Sequence, residues 1–396
     1  MEKFKSQINL IEIEIDKYIN SLGDNSIYDS VKYFLKLPSK RVRPLFTLLT
    51  NALYNNNHSF AIPAALSNEM FHNFTLLHDD IMDSSKKRRG FDTVHEKWNV
   101  NQAILSGDSI LIMATKFLDF YESKIQKDLL KLFNSTALEV CEGQQLDMEF
   151  ENKINIDFDD YIDMITKKTS VLIASSIKMG GIINELDKDE LNRLYDIGLN
   201  LGIAFQIQDD YLDLFGDEKI IGKKVGLDVI NNKKTALHHL FVNQASKTEL
   251  SKYQDYMLLK NHDEKVRKIK SLFSDNNTDK SLKNLVEDYS NKADSIIQKL
   301  TPEFDQRPNL ILLSDFLLKS DIQQIVDNLK DVSHKFSGKT VLLTGGRGFL
   351  GRYFMEIFNE LNETVLEDKV ADQIAKQMNV CTQQPESLTN HLGQLP

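Results

Sequence analysis

The chain has 396 residues, which at roughly 100–200 residues per domain leaves room for two or three domains, or one large domain with an appendage. Hydrophobic residues make up 41% and charged residues 27%, ordinary values for a globular protein, so a disordered tail or a fibrous assembly is excluded. Acidic residues outnumber basic ones by 58 to 48, and the net charge of −10 argues against a non-specific grip on nucleic acid or anionic lipid.

Only 7 prolines and 17 glycines interrupt the chain, which favours helices. The opening stretch MEKFKSQINLIEIEIDKYIN carries a charge every few positions, so neither a signal peptide nor a membrane anchor is expected. Nowhere do the apolar residues run long enough to span a bilayer. Cys141 and Cys381 match no metal spacing and no disulfide framework, which fits a reducing, cytoplasmic location. From residue 1 to about 300, apolar residues recur at i, i+3, i+4 and i+7, as in IEIEIDKYINSL and ILIMATKFLDFYESKI (110–125), predicting packed amphipathic helices. The polar breaks SSKKRRGFDT (84–93), FGDEKIIGKKVGLD (215–228) and SDNNTDKS (274–281) read as loops between them. After Leu300 the segment TPEFDQRPN, with two of the prolines, predicts a boundary, followed by a helix over about 309–334. Next comes KTVLLTGGRGFLGRYFMEIFNEL: an apolar strand, a glycine turn and an amphipathic helix. The expected organisation is an all-α domain (1–300), a linker with a helix (301–337) and a short, incomplete α/β segment (338–396).

Two aspartate clusters carry the chemistry: Asp79, Asp80 and Asp83 in LLHDDIMD, and Asp209, Asp210 and Asp213 in FQIQDDYLD. Four helical residues turn through about 400° and rise about 6 Å, so Asp79 shares a face with Asp83, and Asp209 with Asp213. Each cluster follows apolar sequence, which places its carboxylates at the wet end of a buried helix. Carboxylates this close repel one another, and a hard divalent cation that also takes phosphate oxygens, such as Mg²⁺, relieves the repulsion. A solvated acidic turn is the alternative for either cluster alone; two such clusters on apolar helices favour the metal. Cations accompany them: Lys40, Arg41 and Arg43 in PSKRVRP, Lys86 to Arg89 after the first cluster, Lys168 in TKKTS, and Lys223, Lys224, Lys233 and Lys234 after the second. In an acidic chain this joint arrangement points to a polyphosphate bridged by metal.

Residues 1–300 resemble the trans-isoprenyl diphosphate synthases of the polyprenyl synthetase family. PSKRVRP resembles the family's GGKRxRP motif, with Pro38 and Ser39 in place of glycines. LLHDDIMDSSKKRRG matches the first aspartate-rich motif and its trailing arginine pair; EGQQLD (142–147), KKT (167–169) and FQIQDDYLD match the GQxxD, KT and second aspartate-rich motifs, in the family's order. GKKVGLDVINNKKT resembles GKxxGxDxxxGKxT, with Asn232 replacing a glycine, and Asp92 stands where RRGxPT has proline. The resemblance implies an all-helical isoprenoid synthase bundle around a central active-site cavity. It also implies transfer of an allylic prenyl group to isopentenyl diphosphate, with about three Mg²⁺ ions held by Asp79, Asp83 and Asp209. Asp80, Asp210 and Asp213 would support them. Arg88, Lys168, Lys223 and Lys233 would hold the allylic diphosphate; Lys40, Arg43, His72 and Arg89 would hold isopentenyl diphosphate. His72 lies seven residues before Asp79, nearly the same helical face two turns deeper, although a satisfied core histidine is the alternative. Thr169, Gln144, Gln206 and Asp147 would surround the carbocation or orient metal ligands. Phe74, five positions before the first motif, would act as a floor beneath the growing chain. With Thr75 rather than a second aromatic beside it, a C20 product is expected ahead of C15. The family further implies a homodimer.

An all-helical terpene cyclase shares the first motif, but its second metal motif mixes Asn, Ser or Thr, and Glu, and it needs no isopentenyl cradle. A non-catalytic partner subunit usually loses metal ligands, whereas all six aspartates are present here. Longer-chain synthesis is the other alternative within the family. Thr344, Gly345, Gly348 and Gly351 resemble the TGxxGxxG turn of extended short-chain dehydrogenases, where glycines let the backbone approach a pyrophosphate. Too little chain follows for a full dinucleotide-binding fold, so no NAD(P) binding is expected.

Overall fold

The computed structural model describes residues 2–55, 57–153, 156–216, 225–304 and 306–318. The expected βα segment at 338–396, with its glycine turn, lies outside the described residues, as do Lys223 and Lys224.

The described chain is a helical bundle. Its first half contains α1 (Lys5–Ser21), α2 (Ile27–Leu35), α3 (Val42–Tyr54), α4 (His58–Met82), α5 (Val94–Lys97), α6 (Val100–Lys116) and α7 (Ser123–Asn152). Then follow α8 (Phe158–Ile165), a π-helical turn (Thr166–Ser170), α9 (Val171–Ile182) and α10 (Lys188–Phe215). The chain continues with α11 (Leu227–Ile230), α12 (Ala236–Gln244), α13 (Lys247–Met257), α14 (His262–Asp275), α15 (Thr278–Ile297) and α16 (Arg307–Leu318). One break read as a loop contains a minimal hairpin, β1 (Lys87–Arg88) paired antiparallel with β2 (Phe91–Asp92). Arg89 and Gly90 turn it with φ of 54° and 84°, the left-handed pair that matches strand twist in two-residue hairpins.

Two apolar cores form. One gathers residues of α1 to α7, α9 and α16, including Ile11, Phe34, Phe71 and Ile177; the other gathers α8, α12, α14 and α15 around Tyr161, Phe241 and Ile269. Helix α10 runs through both, giving Leu194, Ile197 and Leu201 to the first and Ile207, Tyr211 and Leu214 to the second. Its start is fixed by Asp187, whose side chain accepts from the Glu190 amide, with Asp189 and Glu190 in the favourable first turn. Close packing of α10 on the chain before α9 depends on Gly202, where a Cβ would stand 2.4 Å from Ser170 Cα. The active-site motifs sit where the two cores meet.

The bundle does not end at Leu300. Helix α16 buries Leu310, Leu313 and Leu317 in the first core, so the segment expected to be a linker is part of the packing. Two fastenings explain this: the Phe304 amide donates to the Leu53 carbonyl (2.9 Å), and the Thr301 amide donates to Glu190 (2.7 Å). Glu190 also accepts from Tyr54 Oη (2.6 Å) and Arg193 Nε (2.7 Å). Among the described residues no helix is long and apolar enough to cross a membrane.

Candidate active site

The first aspartate cluster closes α4: Asp79 and Asp80 lie in its last turn and Asp83 caps it. This is the negative end of the helix dipole, where carboxylates need positive partners. Arg88, delivered by the hairpin, donates through Nε (2.9 Å) and Nη2 (2.6 Å) to Asp80 Oδ1, and its Nη2 stands 3.6 Å from Asp79 Oδ2. From the opposite side Lys168 donates to Asp147 Oδ2 at 2.6 Å and stands 3.6 Å from Asp79 Oδ1. Burial lowers the pKa of the Lys168 ammonium, but Asp147 and Asp79 outweigh it and raise the pKa overall. Burial lifts Asp80 above the usual carboxylate range, and burial with Asp79 as neighbour lifts Asp83.

Asp79 Oδ1 is buried without a hydrogen bond; Asp209 is exposed and lines the cavity, while Asp83 is exposed at the helix end and is not among the cavity-lining residues. An orphaned carboxylate oxygen among further carboxylates suits a hard cation, so the donor set fits Mg²⁺. Among the described residues no three such groups converge on one ion position.

The second cluster divides its labour. Asp209 is exposed to the cavity; Asp210, which also lines the smaller cavity, and Asp213 are buried and hold the loop between α10 and α12. Asp213 Oδ2 accepts from the Asp228 amide (3.0 Å), near the start of the described part of that loop. Asp210 Oδ2 accepts from the Ala236 amide (2.9 Å) at its end. Tyr161, absent from the motif reading, donates to the same Asp210 oxygen at 2.6 Å. Asp210 Oδ1 takes Gln206 Nε2 (3.4 Å), and Gln206 Oε1 takes Thr169 Oγ1 (3.0 Å). Burial, with Asp228 and Asp209 adding, pushes the Asp210 carboxyl up to about 8. Lys233 lines the cavity beside Asp209; Lys234 turns to the Phe150 and Lys153 carbonyls, at the negative end of α7.

A second positive cradle lies deeper. Arg43 Nη1 donates to His72 Nε2 at 3.1 Å, so that ring nitrogen is the acceptor. Burial and the surrounding arginines hold the His72 pKa well below its ordinary value, leaving it neutral. Burial, aided by Arg89, brings Arg43 down to about 10, and Arg43 Nε is buried without a partner. Two guanidiniums on one cavity wall, one with an unused donor, call for an anion. Arg41 plays no part in that cradle. It is buried, at 2% exposure, against Glu69 (2.5 Å) and Glu12 (2.8 Å). Lys40 is exposed on the loop before α3 and does not line the cavity.

Two cavities, about 650 and 240 Å³, meet at Lys168, Thr169, Gln206 and Asp209. The larger reaches from Asp79 and Asp209 to Arg43, His72 and Arg89, with an apolar wall that includes Phe74, Leu172 and Phe205. Phe74 is wedged between Phe71 (ring centroids 5.7 Å) and His78 (4.7 Å). The site therefore joins a carboxylate-rich cleft, two cation clusters and an apolar chamber, the parts required by an enzyme that handles lipid diphosphates.

The family model described as polyprenyl synthetase matches residues 24–275. A short chain isoprenyl diphosphate synthase of Methanocaldococcus jannaschii is 38% identical over 234 residues, covering 59% of this chain and 71% of that one. A geranylgeranyl diphosphate synthase of Saccharolobus solfataricus is 37% identical over 256 residues, 62% and 75% of the two chains. A crystal structure of a geranylgeranyl pyrophosphate synthase superposes with a TM-score of 0.77 at 39% identity, covering 80% of this chain and 99% of that one. The chain belongs to the polyprenyl synthetase family and is a prenyltransferase with the all-helical isoprenoid synthase fold.

Proposed function

We propose that this chain condenses isopentenyl diphosphate with an allylic diphosphate to a short trans-prenyl diphosphate, C20 ahead of C15. The observation that carries the reading is a pair of cavities that share Lys168, Thr169, Gln206 and Asp209 and carry two separate anion cradles, one beside Asp79, Asp209, Arg88, Lys168 and Lys233, the other at Arg43, His72 and Arg89. Two diphosphates need two cradles; a terpene cyclase needs one.

Asp79, Asp83 and Asp209 would hold Mg²⁺, about three ions once the allylic diphosphate is bound. Bound there, Mg²⁺ supplies charge neutralisation to the departing diphosphate. Arg88, Lys168 and Lys233 stabilise the same developing charge as the allylic C–O bond breaks. Arg43, His72 and Arg89 orient isopentenyl diphosphate so that its double bond attacks the allylic carbon head to tail; Lys40 belongs to this cradle by resemblance alone. A new C–C bond forms and a proton leaves to the released diphosphate. Thr169, Gln144 and Gln206 line the space where positive charge passes, and the apolar wall keeps water from trapping it. Lys223 belongs to the same reading by resemblance.

The active species in this reading is a homodimer. Helix α6 exposes Ile104 (41%), Leu105 (52%) and Ile112 (61%) along one face, an apolar stripe that a second copy would cover. Excess chelator is the direct test of the metal: turnover of isopentenyl diphosphate with an allylic starter should cease and return on adding Mg²⁺. Undiminished turnover in chelator would reject it.

A further inference from the structure

We infer that Lys265 is a positioning residue for the lysine-bearing loop, holding Lys233 at the cavity through Asn232. The inference rests on the reading of Lys233 as a diphosphate ligand.

Asn232 has a left-handed backbone, φ 56°, at the position where the motif it resembles carries glycine. Asparagine tolerates that conformation better than most residues, and here its side chain also acquires a partner. Lys265, on α14, is only 3% exposed. Its Nζ donates to Asn232 Oδ1 at 2.6 Å and to the Ile230 carbonyl at 3.5 Å. The next residue on α14, Val266, covers Gly226, near the start of the described part of the loop. Gly226 has φ 81°, and a Cβ there would stand 2.6 Å from Val266 Cγ1. Helix α14 thus grips the described part of the loop at Gly226 and at Asn232, while Asp213 and Asp210 grip it from α10. Lys233 follows the gripped Asn232 directly, and its amide donates to the Asp228 carbonyl at 2.9 Å.

A buried ammonium is costly, and packing alone would be served as well by methionine. What lysine adds at 265 is the hydrogen bond to the loop. The glycine motif leaves its backbone free to find the required turn; this chain fixes the turn with an asparagine and a buried cation from a neighbouring helix.

The test uses the full chain, titrated calorimetrically with inorganic diphosphate in Mg²⁺, with the thermal midpoint and the KM for isopentenyl diphosphate recorded alongside. Lys265→Met should weaken diphosphate binding about tenfold, a misplacement effect. Its thermal midpoint should hold or rise, and its KM for isopentenyl diphosphate should not change. Asn232→Gly, at an exposed position, should show the same loss although glycine suits the backbone better. The double variant should bind no more weakly than Lys265→Met alone, and Asn232→Asp, which keeps the acceptor, should bind like the parent. Parental affinity in Lys265→Met or in Asn232→Gly overturns the inference, as does a lowered midpoint with affinity intact. Lys233→Ala separates the layers: if it leaves binding unchanged, the reading of Lys233 and the inference both fall. If it weakens binding while Lys265→Met does not, only the inference falls.

Discussion

Gly143 on α7 lies so close to Lys168 that a Cβ at residue 143 would stand 2.3 Å from the Lys168 backbone nitrogen. The π turn carrying Lys168 and Thr169 can lie this close to α7 only because that side chain is missing, and from there the Lys168 ammonium reaches Asp147 and Asp79. Gly143→Ala is therefore expected to shift the turn and lower kcat at least about tenfold. The KM for isopentenyl diphosphate should change little, because Arg43 and His72 are held elsewhere. Steady-state kinetics with each substrate varied in turn decides it.

Phe74 is pinned between Phe71 and His78 on the chamber wall. Phe74→Ala should open the chamber, and the product distribution, sized by chromatography of the dephosphorylated alcohols, should move to longer chains. An unchanged distribution would put the floor at another residue.

Helix α16 makes a different expectation for the end of the chain. Each fully buried leucine is worth roughly 1.5–3 kcal/mol, so ending the chain after Leu300 strips several kcal/mol from the first core. That variant should melt well below the parent or fail to accumulate. A chain ended after Leu318 should keep both its melting point and its prenyl transfer, and the full chain should show no calorimetric response to NAD(P).

His238 sets part of the acid limb of stability. Its Nδ1 lies 2.8 Å from Tyr253 Oη, and burial, with His239 and Lys234 adding, lowers its pKa from 6.5 to about 4. Between those values the unfolded chain binds more protons than the folded one. Stability should therefore fall as pH drops from 6.5 towards 4, by up to about 3 kcal/mol. His238→Asn, which keeps an acceptor near Nδ1, should flatten that limb in denaturant titrations at stepped pH. His239, lowered likewise by burial, leaves a residual slope.

The aspartate clusters were legible because helical spacing alone puts Asp79 with Asp83 and Asp209 with Asp213. The division within them follows from the family resemblance, not from spacing, and what the supporting carboxylates hold was not legible at all. Asp210 and Asp213 turn to the amides of Ala236 and Asp228, and that choice depends on where the loop returns after α10. PSKRVRP likewise shows three equivalent cations, yet Arg41 is committed to Glu12 and Glu69, residues far away in sequence and visible as partners only when α1, α3 and α4 pack. The prolines of TPEFDQRPN mark a turn correctly, but whether a turn ends a domain depends on what lies opposite. Here Leu53 and Glu190 offer an acceptor each. Tyr161 and Lys265 carried no signal, since their roles exist only across the fold.

The most direct test of prenyl transfer in this cavity is to incubate the full chain with labelled isopentenyl diphosphate, Mg²⁺ and each allylic starter, beside Asp79→Ala and Asp209→Ala. The parent should give short trans-prenyl diphosphates dominated by C20. Each variant should lose at least about 10²-fold in kcat, roughly 2.7 kcal/mol of transition-state stabilisation. No elongated product from the parent with any starter, or parental turnover in either variant, would contradict the account.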